Sequence, residues 1–445
     1  MEIAELVVQE AQRKGATEAE AYVQRFNLVQ IEGAPKIQSF KNTISTGMGL
    51  RVALGKRIAF YSTSALSSDE VEKAVDTALK IARVAPEDPN WRNMNTRFGE
   101  SSAQDYYDRT LEAIDYSEVV EDYRSAAKSV QDFDSRVHID YGTLYLGTYV
   151  TAVADSYGTS GERRETGVVG YFSAKAKDAG QESGGGELTY AKHLKRINLE
   201  KIASTAVSEA LAFLKARPIG TEKLPVIIRN KTFARITSSI LSPSVNAEAV
   251  QQGRSPLADK LGSEVAADQV TVVDDALLRE GWATRPFDDE GHPTQTTKVI
   301  EKGVLMGYLY DSYTANKEGT DSTGNASRYN SYSNPPRPAA SNFVVKPGTT
   351  SPEQIIEDTQ KGIYVAQTIG EWLSDYVSGK LNATITHGYV IRNGELAEPV
   401  KGVVLSGNYY ELLRDGIEIV GNDLDNDSSY YSPTIKAREL TVAGK

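Results

Sequence analysis

The chain has 445 residues, 40% apolar and 24% charged, with a formal charge of −11 and a pI near 5.2. That length exceeds one ordinary core and predicts two domains, with the composition of a folded chain rather than a disordered one. The acidic balance counts against a dedicated nucleic-acid binder, which needs a basic face to displace counterions, and the lack of any cysteine excludes disulfides, thiolate nucleophiles and sulfur-ligated metals.

Ile3, Leu6, Val7 and Ala11 recur at helical spacing, with Gly15 as the stop. The acids in Met1–Leu6 stand where a secretory leader has basic residues, and no apolar run reaches the roughly 18–20 residues that span a bilayer. A cytoplasmic protein with no membrane contact is therefore expected. Residues 20–31 and 48–61 are rich in strand formers, the second run turning at Gly55-Lys56. Ser67 to Glu70 has the pattern of a capping box ahead of Val71, Ala74, Val75, Ala78 and Leu79, so a helix is predicted there. After a loop with Pro86, Pro89 and Trp91, Asp115 opens a second helix to about Val130.

From Arg136 to Tyr190 the alternation is that of strands: 136–141, 143–154 and 163–177, with a turn at 155–161. Gly184, Gly185 and Gly186 read as a flexible corner, since no phosphate-binding pattern surrounds them. Leu199, Ile202, Ala203, Ala206 and Ala210 give a further helix. The predicted fold class is α+β in two domains, 1–220 with an antiparallel sheet and packed helices, and 221–445 mainly β with a few helices. The boundary is placed at about 218–223. A buried-type strand over 224–229 opens the second domain. A helix over 232–241 meets Ser242-Pro243, which either begins a new helix or kinks a single one, and continues to about Leu261. Beyond 269 short strands dominate, including two flanking Gly303, and 311–341 is a long polar loop of the kind that carries function or stays disordered.

Three patterns invite chemistry. The four histidines, His138, His193, His292 and His387, lie 55, 99 and 95 positions apart, so no local pair can hold a metal. The acidic turn Asp288-Asp289-Glu290-Gly291-His292 offers carboxylates beside an imidazole, which suits an acid/base pair or a cation, but also a solvated turn. Asp423, Asp425 and Asp427 alternate like the start of a calcium loop, without its glycine at the sixth position or its glutamate at the twelfth. No Gly-x-Ser-x-Gly occurs, and Ser406-Gly407 does not supply a nucleophile elbow. The residues alone therefore predict no catalytic constellation.

Several motifs in order carry a family resemblance over nearly the whole chain. They are Gly49-Leu50-Arg51-Val52, Arg57-Ile58-Ala59-Phe60, the Phe287–Thr294 turn with Gly303-Val304-Leu305 and Tyr308–Asp311, Ser322–Ala326 with Arg328, Ser406-Gly407-Asn408, Gly421-Asn422-Asp423, Ser432-Pro433 and Leu440–Gly444. In these the chain resembles the TldD/PmbA family, once called modulators of DNA gyrase and better described as subunits of a zinc metalloprotease. The resemblance implies that one branch carries His-Glu-x-x-x-His on a helix of the C-terminal domain and a later cysteine. Aligned on Gly253 and Lys260–Gly262, the two histidines fall on Ser238 and Pro243, the glutamate on Ser239 and the cysteine on Ser406. The segment Ala247–Ser255 resembles the PmbA (TldE) branch, which lacks that site.

The resemblance implies a non-catalytic TldE-like subunit with no catalytic or metal-binding residues and no cofactor of its own. Zinc is expected in a TldD-type partner, and the substrates are unfolded or extended peptides. Asp288, Asp289, His292, Arg328 and Asn342 are the candidates for a substrate cleft or interface, and the strands flanking Gly303 would suit peptide addition. The alternatives are a homodimeric peptide-binding protein without proteolytic activity and an atypical metallopeptidase in its own right.

Overall fold

A computed structural model of the chain describes residues 1–444. The N-terminal half contains α1 (Glu2–Arg13), β1 (Glu18–Glu32), β2 (Ser39–Leu54), β3 (Arg57–Thr63), α2 (Ser68–Val84), α3 (Tyr116–Ser129), β4 (Val137–Asp155), β5 (Ser160–Asp178), β6 (Gln181–Ala191) and α4 (Leu199–Ala212). Its strands form one antiparallel sheet in the order β3-β2-β1-β4-β5-β6. All four helices pack on one face, because one alternate set of side chains on each strand is apolar. On β1 that set is Ala19 and Ala21 against α1 and α2, then Val29 and Ile31 beside α3 and α4. The other set on β1 begins Glu20, Tyr22, Gln24, and these are buried as well, against the C-terminal half.

Three local expectations change. The helix at 68–84 forms, yet Ser67 makes no side-chain cap, whereas Asp115 does cap α3 through Ser117 N at 2.8 Å. The runs 136–141 and 143–154 are one strand, broken only by a bulge between Ile139 and Tyr141. The three glycines at 184–186 lie inside β6. A Cβ at Gly185 would stand 2.3 Å from Ala206 O and 2.5 Å from Ala210 N, so the glycine is there to let α4 lie directly on the strand.

The C-terminal half begins with β7 (Glu222–Ile228), α5 (Asn230–Ser244) and α6 (Ala247–Gln251). Next come β8 (Val272–Asp275), β9 (Thr296–Glu301), β10 (Val304–Leu305), α7 (Ser312–Glu318), β11 (Ala326–Ser327), β12 (Arg337–Pro338) and β13 (Phe343–Val345). The last strands are β14 (Lys361–Ile369), β15 (Lys380–Arg392), β16 (Glu395–Val400), β17 (Val403–Asn408), β18 (Ile417–Val420), β19 (Asp425–Asp427), β20 (Tyr430–Ser432) and β21 (Ile435–Ala443). One sheet runs β10-β9-β8-β13-β20-β19. In the other, β14 pairs with both β7 and β15, so β14, β7, β21, β17 and β15 close into a ring in which each has two neighbours, while β16 and β18 attach to its outside through β15 and β21. Helix α5 turns Phe233, Ile236, Ile240 and Leu241 into the largest core and leaves Arg235, Ser238 and Ser239 half-exposed.

Pro243 neither starts a helix nor leads one on to Leu261. It sits in the last turn of α5, where it withholds the helical hydrogen bond from Ser239 O and the helix ends one residue later, and Asn246 caps the short α6 through Glu248 N at 2.9 Å. The stretch 311–341 is packed rather than loose. It contains α7, capped by Asp311, and the β11–β12 pair, and it lays Tyr332 against Gly47 and Gly49 of β2.

Candidate functional site

The acidic turn is wound around its own first carboxylate. Asp288 accepts from Glu290 N and His292 N at 2.9 and 3.0 Å and from Ala326 N at 3.0 Å, with Gly291 at φ +80° closing the turn. Burial and the neighbouring Glu290 push the Asp288 carboxyl well above the usual carboxylate range, against the pull of Arg285 and of those main-chain donors. Asp289 takes Arg163, Arg285 Nη1 at 3.0 Å and Arg328 N at 2.7 Å; burial opposes its charge, but the guanidiniums of Arg285 and Arg163 hold it well below the usual carboxylate range. Glu290 accepts from Arg51 at 2.7 Å and from Ser312 N at 2.9 Å. Arg51 also meets Glu20 at 2.6 Å, and Glu20 in turn accepts from Arg328. These groups form one seam joining β1, β2 and β5 to the turn and to the 326–334 segment.

The five residues predicted to line a cleft or an interface are thus placed inside the molecule, none more than 4% exposed. Asp288, Asp289 and Arg328 belong to the seam. His292 bonds Pro293 O through Nδ1 at 2.9 Å, and burial lowers its proton affinity. Asn342 holds Ala283 N, Asp275 O and Thr284 Oγ1 at 2.8–2.9 Å. Their hydrogen-bond partners are this chain's own groups. Asp423 likewise serves as a staple, accepting from Asn230 Nδ2, Thr434 N and Thr434 Oγ1.

The positions that the resemblance matches to metal ligands do not fit a metal. Ser238 and Ser239 both turn Oγ onto Arg235 O of their own helix, at 2.7 and 3.1 Å. Pro243 has no donor atom, and Ser406 is paired in β17 between Asn382 and Thr441. Zinc takes cysteine, histidine or carboxylate ligands. Among the described residues no group of three or more such side chains lies close enough to hold a metal ion.

Open space does exist, between the sheet's second face and the C-terminal half. A cavity of about 260 Å³ lies under β1, β4 and β5, walled opposite by residues 282–285, 327–341 and 428–430. A larger one of about 780 Å³ follows the outer edge of β6. Along that edge the carbonyls of Glu182, Gly184, Gly186 and Leu188 accept from Lys401, His387, Gln367 and Lys231 at 2.8–3.1 Å, so side chains of the C-terminal half occupy what would otherwise be an open strand edge.

Sequence reasoning did not assign Glu20, Arg163, Glu165 or Lys192 to the site, and met Arg51 only within the Gly49–Val52 motif. Glu20 and Arg51 carry one signal, a charged residue on a strand between apolar neighbours, as in Ala19-Glu20-Ala21 and Leu50-Arg51-Val52; Arg163 and Glu165 sit in a run of charges, and Lys192 follows the end of β6, so they carry none.

Family profiles match in three consecutive pieces: PmbA/TldA metallopeptidase domain 1 over 35–82, the central domain over 109–214 and the C-terminal domain over 221–444. A metalloprotease of Methanocaldococcus jannaschii is 27% identical over 398 residues, 85% of this chain and 84% of that protein. Metalloprotease PmbA of Escherichia coli O157:H7 is 25% identical over 412 residues, 89% of this chain and 86% of its own length. The crystal structure of TldE from Thermococcus kodakarensis superimposes with a TM-score of 0.91 at 22% identity, covering 99% of this chain and all of that one.

Proposed function

The chain belongs to the PmbA/TldD metallopeptidase family, and from that membership we propose that it is the subunit of a metallopeptidase pair that carries no metal itself. A TldD-type partner with His-Glu-x-x-x-His supplies the zinc and the chemistry. This subunit completes the chamber for an extended peptide with the space between its N-terminal sheet and its C-terminal half. The observation that carries the proposal is the donor set on α5 and β17: two serine hydroxyls turned onto Arg235 O, a proline, and a strand-paired serine. None of them can ligate zinc or activate water as a histidine, glutamate or cysteine would.

Co-expression with the His-Glu-x-x-x-His protein of the same cell tests this. Co-elution of the two, with chelator-sensitive peptidase activity only when both are present, is the expected result. Stoichiometric zinc and peptidase activity in this chain alone would overturn it in favour of an atypical metallopeptidase. Exclusive self-association with peptide binding would favour the homodimeric peptide-binding protein.

A further inference from the structure

The smaller cavity has an unbalanced charge. Its lining contains four charged side chains: Arg163, Lys192 and Arg285 against the single acid Glu165. Glu165 is bonded by Arg163 Nε at 2.8 Å and Lys192 Nζ at 3.3 Å. Asp289, behind the wall, accepts from Arg163 and Arg285. Among the cations that line the cavity and the acids hydrogen-bonded to them, three cations thus face two carboxylates, an excess of one positive charge.

The hydrogen-bond inventory has the same imbalance. Lys192 is 4% exposed, and its ammonium has one partner at 3.3 Å, leaving two of three donors unused. Arg285 gives Nη1 to Asp289 and Nη2 to Ala326 O at 2.9 Å, leaving one hydrogen on each and the Nε–H without an acceptor. A buried ammonium so poorly met is costly unless an anion joins it. Its neighbours show the strength of the local field. Burial alone would raise Glu165, yet Lys192, Arg163 and Arg285 bring it down to about 2, and burial with those same two guanidiniums lowers Lys192.

We propose that this cavity is a subsite for the free α-carboxylate at the end of a peptide, held between Lys192 and Arg285. The inference rests on the peptide-chamber reading above and names the group that the chamber grips. One carboxylate cancels the one excess charge, and charge-assisted bonds to an ammonium and a guanidinium are the strong kind. A phosphate, bringing nearly two charges, would overshoot. The remaining walls suit the residue that bears the carboxylate: Tyr149, Trp282 and Tyr430 are aromatic, and Trp282 reaches the sheet only because Gly167 has no Cβ, which would stand 2.9 Å from its ring. About 260 Å³ lies just under the usual range for a small-ligand site, which suits one terminal residue rather than a longer segment.

The test is calorimetric titration of the purified full-length chain with acetyl-Ala-Ala-Phe as the free acid, with its C-terminal amide, with an amidated peptide bearing an internal glutamate, and with inorganic phosphate. The free acid is expected to bind about tenfold or more tighter than the amide. Lys192→Met should bring that ratio near one, while Lys192→Arg keeps it. Equal affinity of acid and amide in the natural chain, a ratio unchanged in Lys192→Met, or tighter binding of phosphate or of the internal glutamate would each overturn the assignment. The acid-to-amide ratio of the natural chain decides even if a variant does not fold. Failure of the metallopeptidase pairing would appear instead in the co-elution experiment, which this ratio does not touch.

Discussion

Replacing Arg328 by methionine should be among the most damaging single changes in the chain. Arg328 is fully buried, donates Nη1 to Asn334 O at 2.9 Å and Nη2 to Glu20, and lies over the rings of Tyr22 at 4.9 Å and Phe60 at 5.7 Å. Methionine keeps much of the length and none of the charge. Glu20, itself 1% exposed, is then left with Arg51 alone at 2.6 Å. Removing one member of a buried ion pair costs about 3–5 kcal/mol, because the other charge stays out of water with too few partners. The Asn334 carbonyl is orphaned as well, so the upper part of that range is expected. Urea unfolding followed by tryptophan fluorescence measures the loss. A double-mutant cycle with Glu20→Gln should show the two changes together costing less than their sum by about 1–3 kcal/mol. Limited proteolysis should also cut faster within 328–338, the segment Arg328 ties down. A loss below about 1 kcal/mol, or an additive cycle, would refute the seam as a source of stability.

Three further outcomes are expected from changes elsewhere. Burial, outweighing Arg229, raises the Glu209 carboxyl from 4.5 to about 7. The native state therefore binds the extra proton between those values, and this group makes stability fall as pH rises through that window and level off above it. Glu209→Gln should accordingly raise stability by about 3 kcal/mol at pH 8 and hardly at all at pH 4, and denaturation at both pH values would expose a reversed trend. Gly185→Ala should cost about 1–3 kcal/mol by forcing α4 off β6, whereas Gly220→Ala, with nothing within 4 Å of its added Cβ, should stay within about 0.5 kcal/mol. Treating the purified chain with a chelator should leave its melting temperature unchanged, since a bound metal would contribute stability that chelation removes; a clear drop would contradict the metal-free reading.

Much of the architecture is legible in the sequence because it is written locally. The apolar spacing of α1, α2 and α4 and the alternation in β4 and β5 each lie within one element. The register of the seam is not local. Arg328 and Glu20 are 308 positions apart, Arg51 and Glu290 239, and Arg163 and Asp289 126. No window short enough to show periodicity contains both members of any of these three pairs; only Arg285, four positions before Asp289, is local to the turn. The acidic turn could therefore be noticed but not interpreted: three adjacent acids look solvated or catalytic until the arginines that bury them are in place. The glycines of β6 misled for a related reason, since the helix that requires Gly185 begins only at Leu199, beyond the strand itself.

The seam and the cavity meet at Asp289. Its carboxylate takes Arg163 from β5, Arg285 from the segment before the turn and Arg328 N, while its main-chain oxygen accepts from Arg328 Nε at 3.4 Å, which fixes the 326–334 segment beside it. Arg285 is therefore held by the seam while lining the cavity, and the same acid that aligns the two halves sets how much positive charge the cavity presents. A free carboxylate at this point would contribute one more lone-pair site than its donors use only if Asp289 were poorly met, and it is not: donors from three parts of the chain reach it. The acids of the turn are thus saturated by structure, and the unsatisfied groups beside them are donors.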